Sequence, residues 1–223
     1  MIQTMALQPA SPADSEILNS LTAFGMEPEK TFAWKDLPFH RRLILGKARE
    51  IAYRKLKEFA ASDRATENGW AVIRKRIGNY GTAYKTRAFV SLIGLGALEP
   101  IEAAYPFALR DSQGSFLSGE HSYRIHFEPG QTPPVDAFWS LTMYKDNFMI
   151  ENPINRYSLG DRDPLRYNLD GSLDVLIQHS APEKGISNWL PAPAGRFEMS
   201  LRLYLAQRAF LDGSWKLPPL ERI

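Results

Sequence analysis

Two periodicities divide this chain. Through about residue 98 apolar residues recur at helical spacing, and from about Tyr105 they alternate with polar ones. A first helix is expected over Ser11–Phe24, with Ser11 as cap, Pro12 in the first turn and Gly25 as terminator. After a charged, Pro-bearing loop from Glu27 to Pro38, the strongest helical pattern places Ile44, Ala48, Ile51, Ala52, Leu56 and Phe59 on one face and Arg42, Arg49, Arg54 and Lys57 on the other. The apolar stripe is expected to be buried and Arg42, Arg49 and Arg54 to be solvated. Trp70, Ile73 and Ile77 suggest a third helix over Asn68–Ile77, and Tyr84–Leu98 reads as a fourth, ending near Gly94 or Gly96.

The alternating part predicts strands at Tyr123–Phe127, Phe138–Tyr144, Leu173–His179 and Phe197–Leu205. Turns at Gly114, Gly119, Asp170-Gly171, Gly195 and Asp212-Gly213, and loops with Pro133-Pro134 and Pro191-Ala192-Pro193, separate them. Consecutive strands without intervening helices favour antiparallel pairing. The fold class is therefore α+β: an N-terminal helical region over residues 1–98, then an antiparallel β-sandwich of jelly-roll type over residues 99–223.

Alternation also sorts the side chains. Tyr123, Ile125 and Phe127, Trp139, Leu141 and Met143, Leu173, Val175 and Ile177, and Met199, Leu201 and Leu203 form the inward set. The outward set holds Arg124, His126, Ser140, Thr142, Tyr144, Gln178, Ser200, Arg202 and Tyr204. It has no lysine, two tyrosines, two arginines and a histidine, a composition unlike an ordinary solvated face. Either a ligand occupies it, or the helices or another subunit cover it. Asn152, Arg156-Tyr157, Asn188 and Trp189 fall in expected loops, where polar residues often serve function; Trp189, flanked by prolines, is equally suited to plug the end of the sandwich.

Composition narrows the chemistry. The 223 residues are 44% hydrophobic, enough for a real core. The net charge of +2 conceals 15 Lys or Arg against 9 Asp or Glu through residue 95, and 12 against 16 thereafter, too dilute for a nucleic-acid stripe. With no cysteine, thiolate metal sites, iron–sulfur clusters, disulfides and thiol nucleophiles are absent. Met1–Ala10 shows neither a basic nor a continuous apolar leader segment, and no run is long enough to span a bilayer. The cytoplasm is the default compartment, and a periplasmic location suits the composition as well.

His126 and His179 lie on expected strands and are candidates for a metal ligand or a general base, but alternation aims them to opposite sides; His40 and His121 are placed in loops. No spaced-histidine motif supports a metal site. Asp161, Asp163, Asn168 and Asp170 resemble a calcium loop only in composition, and a hairpin loop explains them better. Gly94-Leu95-Gly96 lacks the third glycine and the preceding strand of a dinucleotide fingerprint, so helix termination is the better reading. Neither a nucleophile elbow nor a P-loop occurs.

Several motifs in order carry a resemblance. Tyr80-Gly81-Thr82-Ala83-Tyr84, Arg87-Ala88, Glu102-Ala103-Ala104-Tyr105, Phe138-Trp139-Ser140-Leu141-Thr142-Met143-Tyr144, Asn152-Pro153-Ile154-Asn155-Arg156-Tyr157, Gly160-Asp161-Arg162, Asp170-Gly171-Ser172, Ile177-Gln178-His179, Asn188-Trp189-Leu190-Pro191, Leu201-Arg202-Leu203-Tyr204 and Asp212-Gly213-Ser214-Trp215 look like the bacterial family called domain of unknown function 1214. The resemblance implies a helical linker domain followed by a jelly roll. In such proteins these follow a further N-terminal β domain, called domain of unknown function 1254, and the chain resembles the last two parts. No reaction and no catalytic residues come with it.

The functional expectation is a jelly roll that binds a small molecule or carbohydrate through Arg124, His126, Tyr144, Gln178, Asn188, Trp189, Arg202 and Tyr204, without cofactor or metal. The alternative is an interaction or structural subunit pairing with a separate chain that supplies the first β domain. A third reading uses His126 or His179 as acid or base. A symmetric homodimer is expected, with Phe32, Trp34 and Phe39 near its contact.

Overall fold

The computed structural model describes residues 10–27, 30, 32–62, 65–146 and 148–223. It divides into two compact units, one of residues 1–63 and 80–93 and the other of 64–79 and 94–223.

In the first unit Ser11 accepts a hydrogen bond from the Ala13 amide at 3.3 Å and caps a 3-10 turn, Pro12–Asp14, that runs into helix α1, Ser15–Thr22. Gly25, at φ +73°, turns the chain out of it as expected. Helix α2 spans Phe39–Ser62 and so takes in His40, which the sequence suggests is in a loop. Helix α3 spans Tyr84–Ile93 and stops before Gly94. Tyr84 donates to Asp14 at 2.7 Å, and Phe59 meets Phe89 edge-on at 6.0 Å.

The expected burial of the α2 stripe fails over most of its length. Ile44 is 55% and Ile51 40% exposed, Ala48 and Ala52 are exposed as well, and Leu56 and Phe59 are half-buried. The cause is length. Ten residues of α3 rise about 15 Å, whereas the 24 of α2 need a partner more than twice as long. Arg49 and Arg54 are solvated as expected, while Arg42 is half-buried.

The expected third helix is instead a hairpin, β1 (Ala65–Glu67) and β2 (Trp70–Val72), which belongs to the second unit. Asn68 and Gly69 both adopt positive φ, 51° and 88°, the conformation of a two-residue turn whose twist suits a hairpin. A side chain on Gly69 would also come within 2.7 Å of the Arg110 carbonyl. The boundary expected at residue 98 therefore does not coincide with the division into units, since residues 64–79 and 94–98 go with the sheets.

The second unit is a sandwich. Further strands are β3 (Ala103–Ala104), β4 (Phe107–Ala108), β5 (Tyr123–Phe127), β6 (Val135–Tyr144), β7 (Ser158–Gly160), β8 (Leu173–Gln178), β9 (Trp189–Pro191), β10 (Glu198–Ala206) and β11 (Leu220–Arg222). The larger sheet runs β1-β2-β4-β10-β6-β7, with β3 also paired to β10; the smaller runs β11-β5-β8-β9. All pairs are antiparallel except β8 with β9, where the sequence suggests an antiparallel arrangement throughout. Asp212-Gly213 is a turn as expected, and it closes a short helix, α4 (Arg208–Leu211), with Gly213 at φ +81°.

Every member of the inward set is buried, and these residues form one core with Trp70, Leu117, Leu159, Leu190 and Phe210. Tyr123 pairs with Ile177 and Phe127 with Leu173 across the smaller sheet, and Leu201 pairs with Leu141 across the larger. Burying such aliphatic side chains stabilises the fold by about 1.5–3 kcal/mol apiece, which is what pins the register of the four long strands. A one-residue slip would send Trp139, Leu141 and Met143 to solvent.

Candidate functional site

Because the outward set comes from strands of two sheets whose inner faces share one core, it lies on opposite sides of the sandwich. Tyr144, Arg202 and Tyr204, with Ser140, Thr142 and Ser200, occupy the outer face of the larger sheet, and Arg124, His126 and Gln178 that of the smaller one. The structure thus separates residues that alternation groups together. Period tells inside from outside but not which sheet a strand joins.

On the larger sheet, cross-strand register builds the face. Ser200 opposes Thr142 and Phe107, Arg202 opposes Ser140, and Tyr204 opposes Phe138. Phe138 stacks on Tyr204 with ring centroids 4.3 Å apart and planes 17° from parallel, and the Arg162 guanidinium lies 4.0 Å from the Phe138 ring. Tyr105 meets Tyr204 edge-on at 6.3 Å, and Phe107 and Tyr144 lie 6.4 Å apart. Arg202 donates to the Tyr144 hydroxyl. Thr142 and Ser200 are buried beneath these longer side chains, while Tyr105 remains 40% exposed. Burial, followed by the neighbouring Tyr204 hydroxyl, pushes the Tyr105 phenol up from its ordinary value. The result is a half-buried aromatic platform with two guanidinium groups, Arg162 and Arg202, at its margin. Tyr105, Phe107 and Arg162 lie outside the four expected strands, and Phe138 shares the outward parity of Ser140, Thr142 and Tyr144.

On the smaller sheet His126 and Asp174 are direct cross-strand partners, and Nδ1 of the imidazole lies 2.7 Å from Asp174 Oδ1. Asn168 donates to the other carboxylate oxygen at 2.9 Å, and Arg124 stands 3.8 Å away while holding Glu221 at 2.8 Å. Burial raises the Asp174 carboxyl, but the His126 and Asn168 hydrogen bonds and the Arg124 charge outweigh it, and the group sits below its ordinary value. His126 and Asp174 are each about 30% exposed, so water screens the pair. Gln178 donates to the Ser180 carbonyl at 2.8 Å. His179 contacts the Ala192 carbonyl at 2.9 Å and does not converge with His126.

Asn188 and Trp189 lie not in a loop but in a 3-10 turn, Ile186–Asn188, and in β9. Asn188 is buried and fully engaged with main chain, accepting from the Arg166 amide and donating to the Arg166 and Asp174 carbonyls. Trp189 is buried and donates to the Gln178 carbonyl at 2.9 Å. Arg156 reaches the Ile186, Ser187 and Trp189 carbonyls, so this end of the sandwich is closed by side chain to backbone bonds. In the acidic loop, Asp161 accepts from the Trp139 amide, Asp163 from the Gly160 amide and Asp170 from Ser172. These carboxylates order backbone. Among the described residues no three His, Asp or Glu are grouped to hold a metal ion, and no helix there is long and apolar enough to cross a membrane.

Comparison with known proteins agrees with this architecture. Residues 102–208 match the family model described as "Protein of unknown function (DUF1214)". The crystal structure of the VPA0106 protein from Vibrio parahaemolyticus is similar at 27% identity and a TM-score of 0.66, covering 95% of this chain and 51% of its own. A putative uncharacterized protein from Burkholderia cenocepacia matches at 17% identity and a TM-score of 0.40, over 99% of this chain and 52% of its own. The chain therefore spans about half the length of these solved structures. No curated protein matches it.

Proposed function

We propose that the sandwich of this chain, whose residues 102–208 match a family of proteins of unknown function, binds a small polar molecule of the carbohydrate class on the outer face of the larger sheet. The observation that carries this reading is the Phe138–Tyr204 stack flanked by Arg162 and Arg202. The half-exposed edges of the rings offer apolar surface to the C–H groups of a sugar, and guanidinium edges with the Ser140 hydroxyl supply directed hydrogen bonds. Asn188 and Trp189 support the scaffold in this reading, and Arg124, His126 and Gln178 stand on the other face.

Saturation-transfer NMR with a panel of methyl glycosides tests it. A binder should lose about tenfold or more in affinity in Tyr204→Ala and Arg202→Ala and keep it in His126→Ala, whose side chain lies on the opposite sheet. Equal loss in all three, or no transfer from any glycoside, would set the reading aside.

One observation favours a second reading, that the chain is an interaction subunit. Phe39, Leu43, Ile44 and Ile51 of α2 are 74%, 54%, 55% and 40% exposed, and Trp34 is 48% exposed. Such a set on one helix is the kind of patch that a partner covers. The partner would be a second copy of the chain or a domain equivalent to the other half of the longer solved structures. Light scattering on the purified chain should show a dimer that Ile44→Glu dissociates; a monomer at high micromolar concentration would leave only pairing with that other domain.

A further inference from the structure

Of the chain's crossings between the two sheets, the one between β4 and β5 and the one between β9 and β10 run side by side. Ser118 bridges to Arg196, the Gly119 amide donates to the Gly195 carbonyl at 2.8 Å, and the Phe197 amide to the Leu117 carbonyl at 3.2 Å. Gly119 permits the approach, because a Cβ there would fall 2.0 Å from the Pro193 carbonyl oxygen. The walls of the cleft between these crossings are thus fixed by backbone hydrogen bonds.

The cleft holds about 520 Å³, the size of a small-molecule site. Arg110, Phe116, Ser118, Glu120, His121 and Arg196 line it. Phe116 is 42% exposed, and two guanidinium groups lie over its ring, Arg110 at 3.8 Å and Arg196 at 4.4 Å from the centroid. Stacking occupies the flat face of a guanidinium and leaves its N–H edge available. Arg110 spends one N–H on the Gly114 carbonyl at 2.7 Å, and among the described residues neither arginine forms an ion pair with a carboxylate. Two cations are therefore held at one ring, where their repulsion is relieved best by an anion that both can reach. Glu120, the one carboxylate in the lining, and Ser118 could each take a hydroxyl group of the same ligand.

We propose that this cleft is a second binding site, specific for a hydroxylated organic oxyanion, a carboxylate or phosphate, gripped by Arg110 and Arg196 over Phe116. It is separate from the platform on the larger sheet and does not depend on it, since Phe138, Tyr204 and Arg202 do not line the cleft.

Amide correlation NMR tests it with three probes: glucuronate, inorganic phosphate and neutral glucose. Glucuronate or phosphate should shift the Ser118 and Gly195 amides saturably in the millimolar range, and the anion that does so identifies the group recognised. Arg196→Gln and, separately, Arg110→Gln should each weaken that binding about tenfold. Both side chains are exposed, and the dispersion of the same spectra reports whether each variant is folded. Raising the salt concentration should weaken binding further. No saturable shift with either anion, an equal response to glucose, or undiminished binding in both folded variants would overturn the proposal.

Discussion

Trp70→Ala should cost about 3–5 kcal/mol of unfolding free energy, near the upper end for a core deletion. Trp70 is completely buried in the shared core, and its indole N–H donates to the Pro218 carbonyl at 2.7 Å, tying β2 to the segment before β11. The neighbouring Glu67 makes a parallel tie, accepting from the Leu217 amide at 2.7 Å and from Arg74 at 2.9 Å. Truncation opens a cavity and strands a carbonyl. Trp70→Phe should therefore cost less, about 1–2 kcal/mol, most of it for the unpaired Pro218 oxygen. Urea denaturation followed by far-ultraviolet circular dichroism measures both. A cost below about 1 kcal/mol for Trp70→Ala would mean that the residue is not in a packed strand.

That residue also shows where the sequence was legible and where it was not. Trp70, Ile73 and Ile77 sit at helical spacing, yet Asn68-Gly69 is a hairpin signal, and the turn prevailed because β2 gains a place beside β4 and a core contact. The long strands β5, β6, β8 and β10 could be read closely because each alternates over five or more residues. Two- and three-residue strands such as β3, β4 and β9 leave no period to read. The candidate site was legible only in part, for a related reason. Tyr144, Arg202 and Tyr204 were recognisable as outward and Phe138 shares their parity, but the stacking of Phe138 on Tyr204 follows from strand pairing, and Tyr105 and Arg162 from loop placement. In the same way Asp174 meets His126 only because β5 and β8 pair in one register. On α2 the periodic stripe was real, and among the described residues of its unit it has no partner of matching length.

Asp111→Ala should destabilise the second unit by about 2–4 kcal/mol, because a buried group that organises three segments is lost at once. Asp111 is 1% exposed, and its Oδ1 accepts from the Gln113 and Ser115 amides at 3.0 and 2.9 Å, closing the turn that carries Arg110 and Phe116 towards the cleft. Its Oδ2 lies 4.0 Å from Arg222 on β11, and the next amide, Ser112, donates to the Leu220 carbonyl at 2.9 Å. The turn and the charge can be separated by substitution. Asp111→Asn keeps the carbonyl acceptor for both amides, removes the attraction to Arg222, which is about a third exposed and therefore weakly coupled, and puts an amide NH2 in place of the buried Oδ2, so about 1–2 kcal/mol should be lost. Arg222→Gln should cost still less, and the double variant Asp111→Asn/Arg222→Gln should be no worse than Asp111→Asn alone within about 0.5 kcal/mol. Thermal and urea unfolding of the four variants decides it. If Asp111→Asn and Arg222→Gln are each as damaging as Asp111→Ala, the ion pair rather than the turn holds this corner, and the cleft's wall depends on β11 more than on its own backbone bonds.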